Sequence, residues 1–365
     1  MNDNLIYWIW LTQIKGIGPI TARILIDKFK EPMCVYEANI EELIEIKGIG
    51  ESIATVILNS KDLSSAKEIF SKCKKLNVKI VTIKDKLYPD YAKNTFKAPI
   101  LLYYRGTLIE NSIGVSIVGT RRCTEYGKNV VIDASKYLSE KHIPVIGGMA
   151  KGIDSYAHTA CIKNGGYTIA VLGCGVDICY PKEHIELMKK IIENGAVISE
   201  YPLGIRPNAV HFPERNRIIS AFSRKILIVE ASKNSGALIT ANLGNKMSRE
   251  IYAVPNGIYS FESQGCNELI SNGAKIYLNP QQLNFNEEEH ECYLNANRGN
   301  IVTTEINTKE QEILSLIKIK SSSVDEISLQ LKIDHDNVTE VLFNLEIKGL
   351  VNFAYGKYFA INTVV

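Results

Sequence analysis

Val145-Ile-Gly-Gly-Met-Ala-Lys-Gly-Ile-Asp154 passes from a short β-branched run through paired glycines into a helical pattern, and two further runs, Ile117-Val-Gly-Thr-Arg-Arg122 and Ala170-Val-Leu-Gly-Cys-Gly-Val-Asp177, also end on glycine. Between about residue 78 and residue 280 such short runs alternate with helical stretches. Strands are expected over 78–83, 100–104, 115–119, 144–148, 168–173, 196–200, 225–230 and 251–255. Runs such as Ile226-Leu-Ile-Val229 are apolar without alternation, which marks strands covered on both faces, as in a parallel sheet with crossover helices. The chain is therefore expected to build an α/β, doubly wound, mostly parallel sheet whose ligand lies outside the carboxyl ends of its strands.

A chain of 365 residues exceeds one ordinary core and, at roughly 150 residues per domain, suggests two or three units. Its composition, 45% hydrophobic and 22% charged, is that of a soluble globular protein. The net charge of +2 leaves no global field to draw the protein onto a polyanion, so any electrostatic site must be local. The eight cysteines contain no Cys-x-x-Cys pair and no His-rich partner segment, which argues against a zinc site and against a secreted disulfide framework. No metal or cofactor is expected. The apolar start, Leu5 to Leu11, lacks a basic leader and reads as a buried first helix. No run approaches the ~18 apolar residues of a membrane span, so the expected setting is the cytosol with no membrane partner.

The flanks have their own textures. Ile14-Lys-Gly-Ile-Gly18 and Ile46-Lys-Gly-Ile-Gly50 form an internal repeat with the pattern of a helix-hairpin-helix, placing an all-α domain over 1–75. Its glycines either aim backbone N–H groups at phosphate or simply let the helices pack; Pro19 and Glu51 weaken the first reading. The sheet domain is expected over 76–283, a polar linker over 284–307, and a C-terminal domain over 308–365. In that last domain helical patterns, one opening on the capping box Ser323 to Glu326, precede a hairpin, the order of a winged helix.

Glycine at a strand end lets backbone approach a ligand, and the following helix offers unpaired N–H groups, so three such loops at one sheet edge make a phosphate cradle. None completes Gly-x-Gly-x-x-Gly, which argues against a dinucleotide site. Basic residues gather at Arg206, Arg215, Arg217, Arg224 and Lys225 against the single acid Glu214, and Phe212 beside two arginines suits base stacking with phosphate pairing. The alternatives are that Phe212 staples its helix to the sheet and that the arginines form internal ion pairs. Residues two apart point different ways on a helix, so Arg215 and Arg217 are not equivalent. The loop Asn234 to Ala241 starts another helix and suits an anion or an ordinary N-cap. Asp154 and His158, four apart on one helix face, suit acid–base work or half a metal site, or else a helix cap and a locally packed histidine; the strand-end acids Glu200 and Glu230 could serve as general bases, and neither has an identifiable partner.

Taken together, Ile117-Val-Gly-Thr-Arg121, Gly148-Met-Ala-Lys-Gly-Ile-Asp-Ser-Tyr-Ala-His158, Ala170 to Asp177, Tyr180-Pro181, Ser199-Glu-Tyr-Pro202, Phe212-Pro-Glu-Arg-Asn-Arg-Ile-Ile219 and Ser235-Gly-Ala-Leu-Ile-Thr-Ala241 closely resemble the DprA/Smf family of DNA-processing proteins of bacterial transformation. The resemblance implies an extended Rossmann-like core that binds single-stranded DNA, forms a homodimer and helps place RecA on DNA, with no turnover of a small molecule. It also implies a SAM-like N-terminal domain and a C-terminal winged helix. Arg121 falls on the family's strand-end arginine, and Phe212, Arg215, Asn216 and Arg217 fall on its Phe-Pro-x-Arg-Asn-Arg motif. The expected DNA-contacting set is Gly119, Arg121, Arg122, Gly148, Lys182, Phe212, Arg215, Asn216, Arg217 and Gly236. Three positions depart from the family: Gly147 where serine is usual, Ser248 where glycine is common, and Asn256 where glycine is expected. The competing enzyme reading is a nucleoside-monophosphate phosphoribohydrolase of the lysine-decarboxylase-like group. That group's Pro-Gly-Gly-x-Gly-Thr loop and following glutamate are missing from Ser235-Gly-Ala-Leu-Ile-Thr240.

Overall fold

The computed structural model describes residues 4–285, 308–335, 337, 338, 341, 342, 345, 351–354 and 357–360. Residues up to 285 belong to one compact unit and those from 308 onward to another.

The first unit begins with six helices: α1 (Asn4–Gln13), α2 (Pro19–Phe29), α3 (Pro32–Glu37), α4 (Ile40–Ile44), α5 (Glu51–Asn59) and α6 (Ser64–Lys75). The two repeat copies are the turns before α2 and α5. Gly16 and Gly48 sit there at φ 89° and 97°, which a side chain would resist. Trp8, Ile9, Trp10 and Leu11 bury the inner part of α1, and these helices share one apolar core with the sheet that follows. The boundary expected near residue 75 therefore lies inside a single packed unit.

The sheet has nine strands among the described residues: β1 (Lys79–Thr82), β2 (Leu101–Gly106), β3 (Gly114–Val118), β4 (Val145–Gly147), β5 (Thr168–Val171), β6 (Gly195–Ser199), β7 (Ser223–Ile228), β8 (Glu250–Ala253) and β9 (Lys275–Ile276). Their order is β1-β2-β6-β5-β4-β3-β7-β8-β9. The run from β6 to β9 is parallel throughout, and β1 and β2 add an antiparallel edge. The helices of the crossovers, α8 (Glu125–Glu140), α9 (Ile153–Lys163), α10 (Ile185–Asn194), α11 (His211–Ala221) and α12 (Gly236–Lys246), cover both faces. Period-2 geometry divides β3 and β7 between two cores: Val115, Ile117, Leu227 and Val229 face α8 and α9, whereas Val118, Ile226 and Ile228 enter the other cluster with residues of α11 and α12. The chain leaves β3 toward β4 on one side and returns through β7 on the other. Their shared carboxyl end is the switch point where such sheets take ligand.

The second unit contains α14 (Thr308–Ile319), α15 (Val324–Leu331) and a hairpin of β10 (Val351–Ala354) with β11 (Lys357–Ala360); the remaining α-helices of the first unit, α7 (Asp90–Lys93) and α13 (Gln264–Ser271), precede β2 and β9. Ser323 and Glu326 form the expected capping box at α15. Ile313, Ile317, Ile327, Val338, Leu342, Leu345 and Val351 are buried together. The expected linker beyond residue 285 and most of 334–348, the last of the helical patterns expected before the hairpin, lie outside the described residues.

Candidate nucleic-acid interface

A cavity of about 830 Å³ opens where β3 and β7 end. That volume falls in the range of pockets that enclose small organic ligands. One wall is the loop after β3, Gly119 to Arg122; another is α11 through Phe212, Arg215 and Asn216; a third is the start of α12, Ser235 to Ala237. A side pocket shares Arg121, Tyr180, Phe212 and Arg215 and adds Gly148, Lys151 and Pro181. Gly119, Arg121, Arg122, Gly148, Phe212, Arg215, Asn216 and Gly236 of the expected set thus line one continuous depression, while Arg217 and Lys182 do not. Lys182 is exposed on the turn after Pro181.

The arginines separate into two kinds. Arg121 and Arg122 are exposed, and their guanidinium groups make no hydrogen bond or ion pair among the described residues. Arg215 is buried at 5% exposure, donating from Nη1 to the carbonyls of Gly148 (2.9 Å) and Val171 and from Nε to Asn216 Oδ1 (3.2 Å). The same Gly148 gives its N–H to Asp154 at 2.8 Å. The loop after β4 is therefore pinned between a buried acid and a buried guanidinium, and the guanidinium lies where a Cβ at residue 148 would sit, so only glycine fits. Burial pushes the Asp154 carboxyl upward, and the charge of Arg215 and the loop's N–H groups oppose that. Arg215 contributes positive potential to the cavity wall, but its Nη1 and Nε donors are committed to the scaffold.

Arg217, expected at the DNA, instead pairs with Glu200 and donates from Nη1 to Lys97 O at 2.7 Å. The reason is helical phase: two residues advance about 200° around α11, so Arg217 leaves the cavity face that Arg215 occupies. The rest of the expected basic patch also disperses. Arg224 lies over the Tyr91 ring, and Lys225 is buried with its ammonium on the carbonyls of Gln282 and Asn284. Proximity in sequence did not become one surface.

Phe212 both packs within the domain and reaches the cavity. Its ring packs against Gly173, where an added Cβ would come within 3.1 Å of it, and it also lines the cavity beside Tyr180, with ring centroids 5.4 Å apart. At the opposite wall Ser235 Oγ accepts from Ala237 N and α12 opens on Gly236, so first-turn amides and the positive end of the helix dipole face the depression. The acid–base candidates have structural partners. Glu230 is wholly buried and accepts from Thr124 N at 2.9 Å and from its hydroxyl, and Glu200 holds Arg217. His158 is also wholly buried. Its Nδ1 meets Thr168 Oγ1 at 2.7 Å, and burial with the nearby Arg215 charge pushes it down to about 3, so it is neutral. Asp154 and His158 share α9 but hold different partners, and among the described residues no group of three His, Cys, Asp or Glu could hold a metal ion.

Sequence reasoning gave no role to Lys151 and Tyr180 and did not foresee Phe261 and Glu262, all of which line the depression. Lys151 lies inside a quoted motif and is paired with Glu183. Phe261 carries no sequence signal, because nothing in its local pattern distinguishes an exposed aromatic from a buried one.

Fold and site together define a doubly wound α/β protein with a basic, aromatic-lined depression at its switch point. The family model of DNA recombination-mediator protein A matches residues 79–286, more than half of the chain, and that of the SAM-like helix-hairpin-helix tandem matches residues 11–60. Protein Smf of Synechocystis is 35% identical over 287 residues, which cover 77% of this chain and 72% of that protein. DNA processing protein DprA of Streptococcus pneumoniae is 39% identical over 203 residues, 55% of this chain and 72% of the relative. The solved structure of the pneumococcal DprA matches with a TM-score of 0.67 at 30% identity, over 77% of this chain and 99% of that one. A DNA processing protein A from Helicobacter pylori, whose structure was described for its single-stranded DNA binding mode, matches with a TM-score of 0.51 at 27% identity, over 60% of this chain and 96% of that one. The chain belongs to the DNA recombination-mediator protein A family, the DprA/Smf proteins.

Proposed function

We propose that this chain binds single-stranded DNA in the depression at the ends of β3 and β7, and that as a recombination mediator it helps load RecA onto that strand during natural transformation. The observation that carries this reading is the pair Arg121 and Arg122, exposed and unpaired beside Phe212 at the switch point. Phosphate contacts supply affinity without sequence information, and an aromatic face stacks only on a base that is already unpaired. The contacting set is Gly119, Arg121, Arg122, Gly148, Lys182, Phe212, Asn216 and Gly236, with Arg215 acting through the loop it holds. Exposed Ile276 and Leu278 at and beside the edge strand β9 are the kind of apolar surface a homodimer covers. Among the described residues no helix is long and apolar enough to cross a membrane, and the reading places the protein in the cytoplasm. Residues 308–365 are read as a winged helix following the 284–307 linker, and 1–75 as the SAM-like domain beside the 76–283 core.

The test is fluorescence-anisotropy binding of an oligonucleotide with duplex competitor, alongside incubation with nucleoside monophosphates. Preference for the single strand, loss on Arg121→Ala and no released base support the reading. Equal affinity for duplex, or sustained release of base, contradicts it.

A further inference from the structure

Beyond β8 the chain forms a tight loop whose side chains point the wrong way for a soluble surface. Ile258 is 74% exposed, Tyr259 93% and Phe261 65%. The loop is nevertheless well tied. Ser260 N bonds to Gly257 O at 2.9 Å, Asn256 Nδ2 bonds to Ser263 Oγ at 2.9 Å, and Asn267 Nδ2 bonds to Asn256 O at 3.0 Å. Gly265 N bonds to Ala231 O at 2.8 Å, which anchors the loop's far end just after β7. Asn256, the departure from the expected glycine, thus provides the clamp. Three apolar side chains held outward on a hydrogen-bonded base lose little further freedom on binding, which is what a preorganised contact requires.

The position of the loop identifies what it receives. Phe261 and Glu262 line the same cavity as Arg121, Arg122 and Phe212. The cavity therefore has two unlike sides: arginines with the opening of α12, which favour phosphate, and an aromatic beside a carboxylate, which disfavours it. A base presents an apolar face to stack on and N–H groups that a carboxylate can accept, whereas phosphate presents neither.

We propose that the 257–262 loop is a second base platform. Phe261 stacks on a nucleobase of the strand whose phosphates lie along Arg121 and Arg122, and Tyr259 is placed to take the next base outward. This rests on the single-strand reading above and assigns the strand's facing across the cavity, with backbone toward α12 and bases toward the loop.

The experiment measures binding of fluorescein-labelled oligothymidylate by the full chain and by its Phe261→Ala, Phe261→Trp, Tyr259→Ala and Arg121→Ala variants. Each is measured at several salt concentrations, with sedimentation velocity on the same samples. Phe261→Ala should weaken binding about tenfold, within the range of one lost base–aromatic stack, with an unchanged salt slope and unchanged mass. Phe261→Trp should restore it. A 5-iodouridine-bearing strand should photocross-link to the peptide that contains Phe261. Wild-type affinity for Phe261→Ala overturns the proposal, and so does a loss of affinity that accompanies a change in mass, since the loop would then seat a second copy of the chain. If Arg121→Ala weakens binding and Phe261→Ala does not, only the loop assignment falls. If the wild-type chain does not bind, or Arg121→Ala is silent, the single-strand reading itself falls.

Discussion

Replacing Arg215 with alanine should damage stability more than it damages recognition. The guanidinium bridges the ends of β4 and β5 through Gly148 O and Val171 O and offsets the charge of Asp154, which is itself buried. Removing one member of a buried, hydrogen-bonded charge arrangement costs on the order of 3–5 kcal/mol, because the remaining acid and carbonyls lose their partner. The two N–H groups that Asp154 keeps from Gly148 and Ala150 argue for the lower end, about 3 kcal/mol. At about 2–4 °C per kcal/mol for a unit of this size, the Tm should fall by roughly 6–12 °C. Thermal melts by circular dichroism provide the first readout. The second is single-strand affinity at a low temperature where the variant remains folded, where the loss should be smaller than that of Arg121→Ala. An unchanged melt with a tenfold loss of affinity would refute this account and make Arg215 a direct phosphate ligand.

Other outcomes follow from single positions. His158 is held neutral with its ionisation pushed down to about 3, so it contributes stability above about pH 6.5 that drains as pH falls toward 3. From pH 6.5 to 5 the loss is about 2 kcal/mol, and urea titrations of His158→Gln should show a correspondingly weaker acid dependence than wild type. Ser248 stands at φ 57°, so Ser248→Gly should stabilise by about 0.5–1 kcal/mol, seen as a higher urea midpoint. Lys15 and Lys47 sit on turns followed by Pro19 and Glu51, and their joint replacement by alanine should change single-strand affinity less than threefold by anisotropy. Deleting 298–365 should likewise leave affinity within about tenfold, ~1.4 kcal/mol.

Much of the architecture was legible because its causes are local. Short β-branched and apolar runs alternating with helical stretches marked β1 to β8, and the Ile-Lys-Gly-Ile-Gly repeat marked the two hairpins. The edge strand β9, two exposed residues long, has no periodicity to detect. The candidate site divides along the same line. Glycine-ended strands placed Gly119, Arg121 and Gly148 at one sheet edge, since topology alone brings strand ends together. Which arginine is free and which is structural depended on partners far away in sequence: Glu200 and Lys97 for Arg217, Val171 and Gly148 for Arg215. The Phe261 loop was invisible for the same reason, because exposure is a tertiary property. Two of the three departures became intelligible only in three dimensions. Ser248 occupies the left-handed backbone that glycine would take freely, and Asn256 ties a loop that glycine could not.

The most direct test of the central claim is the salt dependence of oligonucleotide binding by wild type and Arg121→Ala. With Arg215 and Arg217 held in the scaffold, about three phosphates remain to be neutralised, by Arg121 and Arg122 in the depression and by Lys182 on the exposed turn beside it, so log K should fall against log salt with a slope near −2. Arg121→Ala should bind more weakly with a slope shallower by about 0.7, at an unchanged melting temperature. An Arg121→Ala variant that keeps wild-type affinity and slope would place the strand on another surface and contradict the account.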